Sequence, residues 1–197
     1  MIIRPYEPGD TDALYDICLR TGDNGGDATG QFADPRLLGE IFVGPYLRYE
    51  PELAFVVDDG GPAGYVLGAR DTAAFDRVCE REWWPPLRER YPPGAFPAGT
   101  RDAHYVERLH ETRTADPAIV ADHPAHLHID LLPRAQGRGM GRALMERLLA
   151  ALHAAGAPAV HLGVGAANTR AIAFYERLGF RTLRESPNGR TMGRPTT

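Results

Sequence analysis

The sequence has few cysteines, no long apolar run and no excess of positive charge, and each absence excludes a class of protein. Two cysteines, Cys18 and Cys79, do not make a disulfide-rich secreted scaffold. Both fall at apolar positions of expected helices, so two buried thiols in a reducing cytoplasm are expected. No stretch approaches the ~20 apolar residues that cross a bilayer, so no membrane partner is expected. The first residues, Met1-Ile2-Ile3-Arg4-Pro5-Tyr6, lack a basic region followed by an apolar one, so no export signal is expected. The net charge of −4 gives no chain-wide attraction for nucleic acid or an anionic surface. Internal repeats and low-complexity tracts are missing too, and no metal site is expected.

What is present is an ordinary globular composition, 43% hydrophobic and 24% charged. A length of 197 residues fits one domain over 1–197 and can bury a core without cross-links. Ile2 to Tyr6 reads as a short strand. Asp10 or Thr11 caps a helix with Leu14, Ile17 and Cys18 on one face, ending at Gly22. Residues 23–30 form a glycine-rich polar loop carrying Asp23 and Asp27. Asp34-Pro35 starts a second helix, with Leu37, Leu38, Ile41 and Phe42 as its apolar face. Two strands, Ala54–Val57 and Gly64–Gly68, flank the turn Asp58-Asp59-Gly60-Gly61. From Thr72 to Pro124 the pattern breaks up. A helix is expected to stop at Trp83-Trp84-Pro85-Pro86, and a proline-rich stretch follows over 91–99. This span reads as an insertion, an ordered lid or wall between two halves of a sheet. A strand over Ala125–Leu132, the longest helix, a strand over Val160–Val164, another helix and a hairpin around Pro187-Asn188-Gly189 complete the chain. The order predicts an α/β fold: a mixed central sheet with helices on both faces and a helical, proline-rich insertion at about 72–124.

The stretch Gln136-Gly137-Arg138-Gly139-Met140-Gly141 lies between the fourth strand and the longest helix. Glycines there expose backbone N–H groups at the positive end of a helix dipole, which makes an anion cradle. Three phosphate ligands compete. A dinucleotide fingerprint wants its third glycine at position 142, where Arg142 stands, and no acidic residue ends the next strand. A P-loop needs Gly-Lys-Ser/Thr, which is missing. The pyrophosphate of coenzyme A is the third. A second anchor lies one strand on: Asn168, Ala171 and Tyr175, closing at Leu178-Gly179-Phe180. Asn168 and Tyr175 are seven apart, so they share a helix face roughly 10 Å apart along the axis.

The two motifs, Gln136-x-x-Gly139-x-Gly141 and Asn168-x-x-Ala171-x-x-x-Tyr175, together resemble the GNAT superfamily of acyl-CoA-dependent N-acyltransferases. Ile3-Arg4-Pro5-Tyr6, Tyr15-Asp16-Ile17-Cys18, Gly64-Tyr65-Val66-Leu67-Gly68 and Leu127-His128-Ile129-Asp130 further resemble the C-terminal acetyltransferase-like domain of O-GlcNAcase, long insertion included. The animal domains lack an intact glycine loop and are regarded as pseudo-acetyltransferases; this sequence keeps the loop, as expected of a free-standing bacterial-type relative.

The resemblance implies the GNAT fold, acetyl-CoA (coenzyme A) as cofactor, and direct attack of an amine on the acetyl thioester. The acceptor is then an amine-bearing small molecule or a protein lysine. The resemblance also implies that Leu131, Leu132, Gln136, Gly137, Arg138, Gly139, Met140, Gly141, Arg142, Asn168, Ala171, Phe174 and Tyr175 bind the cofactor. A strand-four N–H, at Leu131 or its neighbour, would donate to the thioester carbonyl. Tyr175 would protonate the leaving thiolate, although its spacing with Ile172 and Leu178 also suits packing. Alternation puts His126, His128 and Asp130 on one face of the strand, as candidates for the base, oriented or activated by Asp130, or as a face that meets a polar part of the insertion. Asp23 and Asp27, with Asp130 and with Glu111, Trp83 and Trp84 of the insertion, are candidates to receive a cationic amine, or ordinary loop residues. The alternative to an enzyme is a catalytically idle acetyl-CoA-binding module.

Overall fold

A computed structural model describes residues 1–111 and 115–197; residues 112–114, inside the expected insertion, lie outside them. The strands are β1 Ile2–Pro5, β2 Ala54–Asp58, β3 Pro62–Ala69, β4 Ala125–Leu131, β5 Ala159–Gly165, β6 Arg181–Ser186 and β7 Gly189–Pro195. The helices are α1 Thr11–Thr21, α2 Leu37–Phe42, α3 Gly44–Tyr49, α4 Thr72–Val78, α5 Trp84–Arg90, α6 Arg101–His110, α7 Pro117–Asp122, α8 Met140–Ala154 and α9 Thr169–Arg177. All seven strands join in one sheet of order β1-β2-β3-β4-β5-β7-β6. Only β4 and β5 run parallel, and α8 is the crossover that a parallel pair requires.

Two apolar cores lie on the two faces of this sheet. Leu14, Ile17, Val56, Tyr65 and Leu67 belong to one, with α1, α2 and the insertion. Phe55, Val57, Val66, Leu127, Leu144 and Leu148 belong to the other, with α8 and α9. Because β2 and β3 are buried on both faces, they read as continuous apolar runs rather than alternating ones. The terminal hairpin is the opposite case: every residue of β6 is exposed. Both cysteines are free and buried. Among the described residues no helix is long and apolar enough to cross a membrane.

Several local expectations change. Asp10 stands at the N-cap position of α1, but its carboxylate makes no cap bond. It takes the Arg4 guanidinium at 2.7 and 2.8 Å, while Arg4 Nε reaches Asp58 at 2.8 Å, so one arginine ties β1, β2 and the entry to α1. The helix expected from Asp34-Pro35 begins at Leu37, since Asp34 is spent on the Arg36 N–H and on the Tyr91 hydroxyl. Helices α3 and α7 give no signal in the sequence, being only six residues each, too short for a periodic face. Trp83-Trp84-Pro85-Pro86 does not stop the helix. A π-helical turn over Cys79–Trp83 carries α4 into α5, and the prolines fall in the first turn of α5, where no N–H is missed.

The insertion is pinned to the first loop by the start of α6. Asp102, only 2% exposed, accepts the N–H groups of Ala33 and Asp34 at 3.0–3.1 Å. Its neighbour Arg101 reaches Gly22 O at 3.1 Å, Asp23 at 3.2 Å and the Gln31 side chain, and lies over the Phe32 ring. Asp102→Ala removes a buried carboxylate that accepts two backbone N–H groups, so the midpoint of urea unfolding is expected to fall by the equivalent of about 1–3 kcal/mol. A midpoint equal to wild type would show that the loop has other support.

Candidate active site

Strands β4 and β5 pair at only two positions, Ala125 with Val160 and His126 with His161. Beyond them the strands diverge, while β4 stays paired to β3 as far as Leu131 and β5 to β7 as far as Gly165. The result is a wedge open at the C-terminal ends of two parallel strands, where α/β sheets receive ligands. The N–H of Leu132 donates to Ala63 O at 2.9 Å. Antiparallel alternation then turns the backbone groups of Asp130 toward β3 and those of Ile129 and Leu131 into the wedge. Gln136 Nε2 donates to Leu131 O at 2.7 Å and fastens the loop to the strand. The amide of Leu131 is therefore the donor facing the wedge, and that of Leu132 is committed to β3.

After a short 3-10 turn over Pro133–Ala135 comes the glycine loop. Gly137 and Gly139 take the left-handed conformation, at φ 71° and 79°. A Cβ at either would meet nothing within 4 Å, so glycine is needed there for the backbone and the space stays open. Gly139 is the N-cap of α8, whose first N–H groups have no intrahelical partner. The three glycines are not equivalent, however. Gly141 lies inside α8, and a Cβ there would stand 3.3 Å from the Phe174 ring. Its role is close packing of α9 on α8. Met140 packs against the same core, and Arg142 makes an exposed pair with Glu146 at 3.5 Å.

Asn168 is first of all a helix cap. Its Oδ1 accepts the Ala171 N–H at 3.1 Å, so only the side-chain NH2 is left for a ligand. Phe174 and Tyr175 follow on α9. The Tyr175 ring is buried between Phe174 and Phe180, at 5.4 and 5.6 Å. Burial pushes its phenol upward, and the negative charge of Asp130 adds to this, so the hydroxyl keeps its proton. Among the described residues no group hydrogen-bonds that hydroxyl.

His126, His128 and Asp130 share one face of β4, as alternation requires, but each has its own surroundings. Asp130 accepts a 2.6 Å hydrogen bond from Tyr65, its register partner on β3. Burial pushes the Asp130 carboxyl up to about 6, against the pull of the Tyr65 and Thr21 hydroxyls. The tyrosine, not a histidine, is thus what orients Asp130. His126 Nδ1 lies 2.8 Å from Thr72 Oγ1. Burial, followed by His128 and His161, holds its pKa well below the usual histidine range. The His128 ring sits 5.6 Å from Phe42 and 5.5 Å from Tyr46. Both histidines line a cavity of about 200 Å³, together with Phe42 and Tyr46 and with Phe75, Asp76, Glu80 and Trp84 of the insertion.

The loop acids do not reach this cavity. Asp23 is engaged by Gln31 and Arg101, and Asp27 by the N–H and hydroxyl of Thr29. Trp83 donates its indole N–H to Glu40 O, and His161 Nδ1 contacts His123 O. Tyr65 and Thr72 were missed by sequence reasoning. Tyr65 looks like any residue of an apolar strand, and Thr72 like a helix start.

The acetyltransferase (GNAT) family pattern matches residues 29–180. A crystal structure of SsHAT superposes with a TM-score of 0.92 at 47% identity, covering 100% of this chain and 98% of that one. Protein O-GlcNAcase of Rattus norvegicus is 30% identical over 183 residues, 90% of this chain and 20% of the rat protein. This chain therefore spans about a fifth of the length of that curated relative. The ribosomal protein bS18-alanine N-acetyltransferase of Escherichia coli K12 is 40% identical over 78 residues, 39% of this chain and 53% of the enzyme.

The Asp130 carboxyl gives a pH signature. Its folded value of about 6 lies above the ordinary 3.8, so the folded state binds the proton more tightly. Stability then declines as pH rises between those values and is flat above them. Asp130→Asn keeps an acceptor for Tyr65 and removes the buried charge. Scanning calorimetry is expected to give a higher Tm than wild type at about pH 8 and a similar Tm at about pH 4. An equal difference at both pH values would show that this carboxyl does not titrate in the window.

Proposed function

Because this chain belongs to the acetyltransferase (GNAT) family, we propose that it transfers acetyl from acetyl-CoA directly to an amine. The observation that carries this is the wedge between β4 and β5, which leads to a glycine loop with two left-handed glycines and open space above them. These features fit a long ligand with a phosphate-bearing end. The N–H groups of residues 137–141 would hold the pyrophosphate, with Arg138 and Arg142 as charge partners. Asn168, Ala171 and Phe174 would line the α9 side. The insertion shares one core with α1 and α2, so we take residues 1–197 to act as one unit.

Acetyl-CoA, when bound, supplies a thioester whose carbonyl carbon an amine attacks, with release of the CoA thiol. The N–H of Leu131 faces the wedge and would donate to the carbonyl oxygen as it gains charge. Tyr175 Oη keeps its proton and has no acceptor among the described residues, so it would give that proton to the departing sulfur. The amine's proton would leave along the β4 face that carries His126, His128 and Asp130. Acceptors compatible with this chemistry are small primary amines and amino groups of proteins.

One observation favours a second reading, an idle acetyl-CoA-binding module. Tyr175 is packed between two phenylalanines and Asp130 is tied to Tyr65, so both polar candidates also have structural roles. Calorimetry separates the readings. Wild type is expected to bind acetyl-CoA, and Gly139→Val, strained at φ 79°, is expected to lose at least about tenfold in affinity while keeping its circular dichroism spectrum. No binding by wild type would refute both readings. Tyr175→Phe is expected to lower kcat by about 10²-fold or more with little change in acetyl-CoA affinity. An unchanged rate removes Tyr175 from the reaction, and binding without thiol release across a broad amine panel favours the idle module.

A further inference from the structure

The cavity beside β4 has a polar floor whose hydrogen bonds assign the donor nitrogen of His126. Thr72 Oγ1 lies 2.7 Å from Pro124 O, and a carbonyl can only accept, so the one hydroxyl proton of Thr72 is used there. The 2.8 Å contact between Thr72 Oγ1 and His126 Nδ1 must then have Nδ1–H as the donor. The surroundings of His126 disfavour the imidazolium, since its ring is enclosed by Tyr46, Phe75 and His161 at 5.3–5.9 Å. A neutral ring with its proton on Nδ1 has a bare lone pair on Nε2. Thr72, from the insertion, thus presets a histidine on the strand as a hydrogen-bond acceptor.

The walls restrict what this acceptor meets. Phe42 and Trp84 line it with half-buried aromatic rings, Tyr46 and Phe75 pack on each other behind them with centroids 4.7 Å apart, and Asp76 and Glu80 add carboxylates, Glu80 being held by Arg88 at 2.8 and 3.0 Å. Aromatic surface holds a flat apolar group and tolerates a nearby cation. A volume of about 200 Å³ is below the roughly 300–1,000 Å³ of drug-sized sites, so the occupant is compact. His126 is also the last β4 residue paired to β5, so this floor adjoins the apex of the wedge.

We propose that this cavity is the acceptor site and takes a small primary amine with a flat aromatic arm, its N–H received by His126 Nε2. The proposal rests on the acetyltransfer reading for its chemistry, but binding tests it separately. An aromatic lining, with Phe42 and Trp84 its half-buried rings, matches a ring better than it matches the thin methylene chain of a lysine.

The experiment is calorimetry of the full chain with 2-phenylethylamine, 2-phenylethanol, ethylamine and a blocked lysine amide, alongside acetyl-CoA. Phenylethylamine is expected to bind at least about tenfold more tightly than each of the other three acceptor probes. Trp84→Ala is expected to lose at least about tenfold in that affinity and to move acetyl-CoA affinity less than about twofold. Nitrogen-15 NMR of labelled histidine in wild type is expected to show His126 neutral, with an unprotonated Nε2. Equal or tighter binding of the lysine amide, amine affinity indifferent to Trp84, or a protonated Nε2 would each overturn the proposal. Failure of wild type to bind acetyl-CoA overturns the acetyltransfer reading instead; amine binding that depends on Trp84 would then still support the pocket.

Discussion

The early separation of β4 from β5 is the constraint on which the rest of this structure depends. Two parallel strands that pair at two positions and then part leave several backbone groups without a strand partner. In a sheet interior that arrangement forfeits interstrand hydrogen bonds worth about 0.5–1.5 kcal/mol each, so it persists only where neighbours hold both strands. Here they do. β3 pairs with β4 over six positions and β7 with β5 over seven, and the Gln136 side chain occupies the carbonyl of Leu131. The hairpin β6–β7 therefore does more than extend the sheet. It anchors the strand that would otherwise close onto β4.

The second face of β4 depends on the insertion. Arg101 and Asp102 hold the first loop, Trp83 holds α2 through Glu40 O, and Thr72 bonds both to Pro124 O and to His126. These contacts join residues 43 to 79 positions apart, so this side of β4 exists only in the assembled fold. The π turn over Cys79–Trp83 belongs to the same arrangement. It lets α4 and α5 run on through two prolines and bring Glu80 and Trp84 to the cavity.

How much of this was legible in the sequence follows from the range of each interaction. The glycine loop, the strand before it and the alternation of His126, His128 and Asp130 are local patterns, and they fold as read. The order of strands and helices, apart from the short α3, α5 and α7, is likewise local. Roles set by distant partners were not legible. Asp23 seemed free for a ligand until Arg101, 78 residues on, met it. The Asn168 oxygen caps α9, which leaves only the NH2 of that candidate for a ligand. Gly141 reads like Gly137 and Gly139 in the sequence, and only the approach of Phe174 gives it a packing role as well. The wedge itself left no trace, because strand divergence is a property of pairing and not of composition.

Electrostatics adds a last step. Burial pushes Asp130 up to about 6 and His126 down, so both are driven toward their uncharged forms, but at neutral pH they end differently. Asp130 is mostly ionised there, while His126 is neutral. The face of β4 thus offers a carboxylate at the Tyr65 end and a bare ring nitrogen at the Thr72 end, four residues apart along one strand. The chain also carries no lysine: all 22 residues counted as lysine plus arginine are arginine. Guanidinium groups stay protonated and are poor nucleophiles at neutral pH. On the proposed reading, an amine acceptor at the β4 face meets no lysine side chain of the chain itself as a rival.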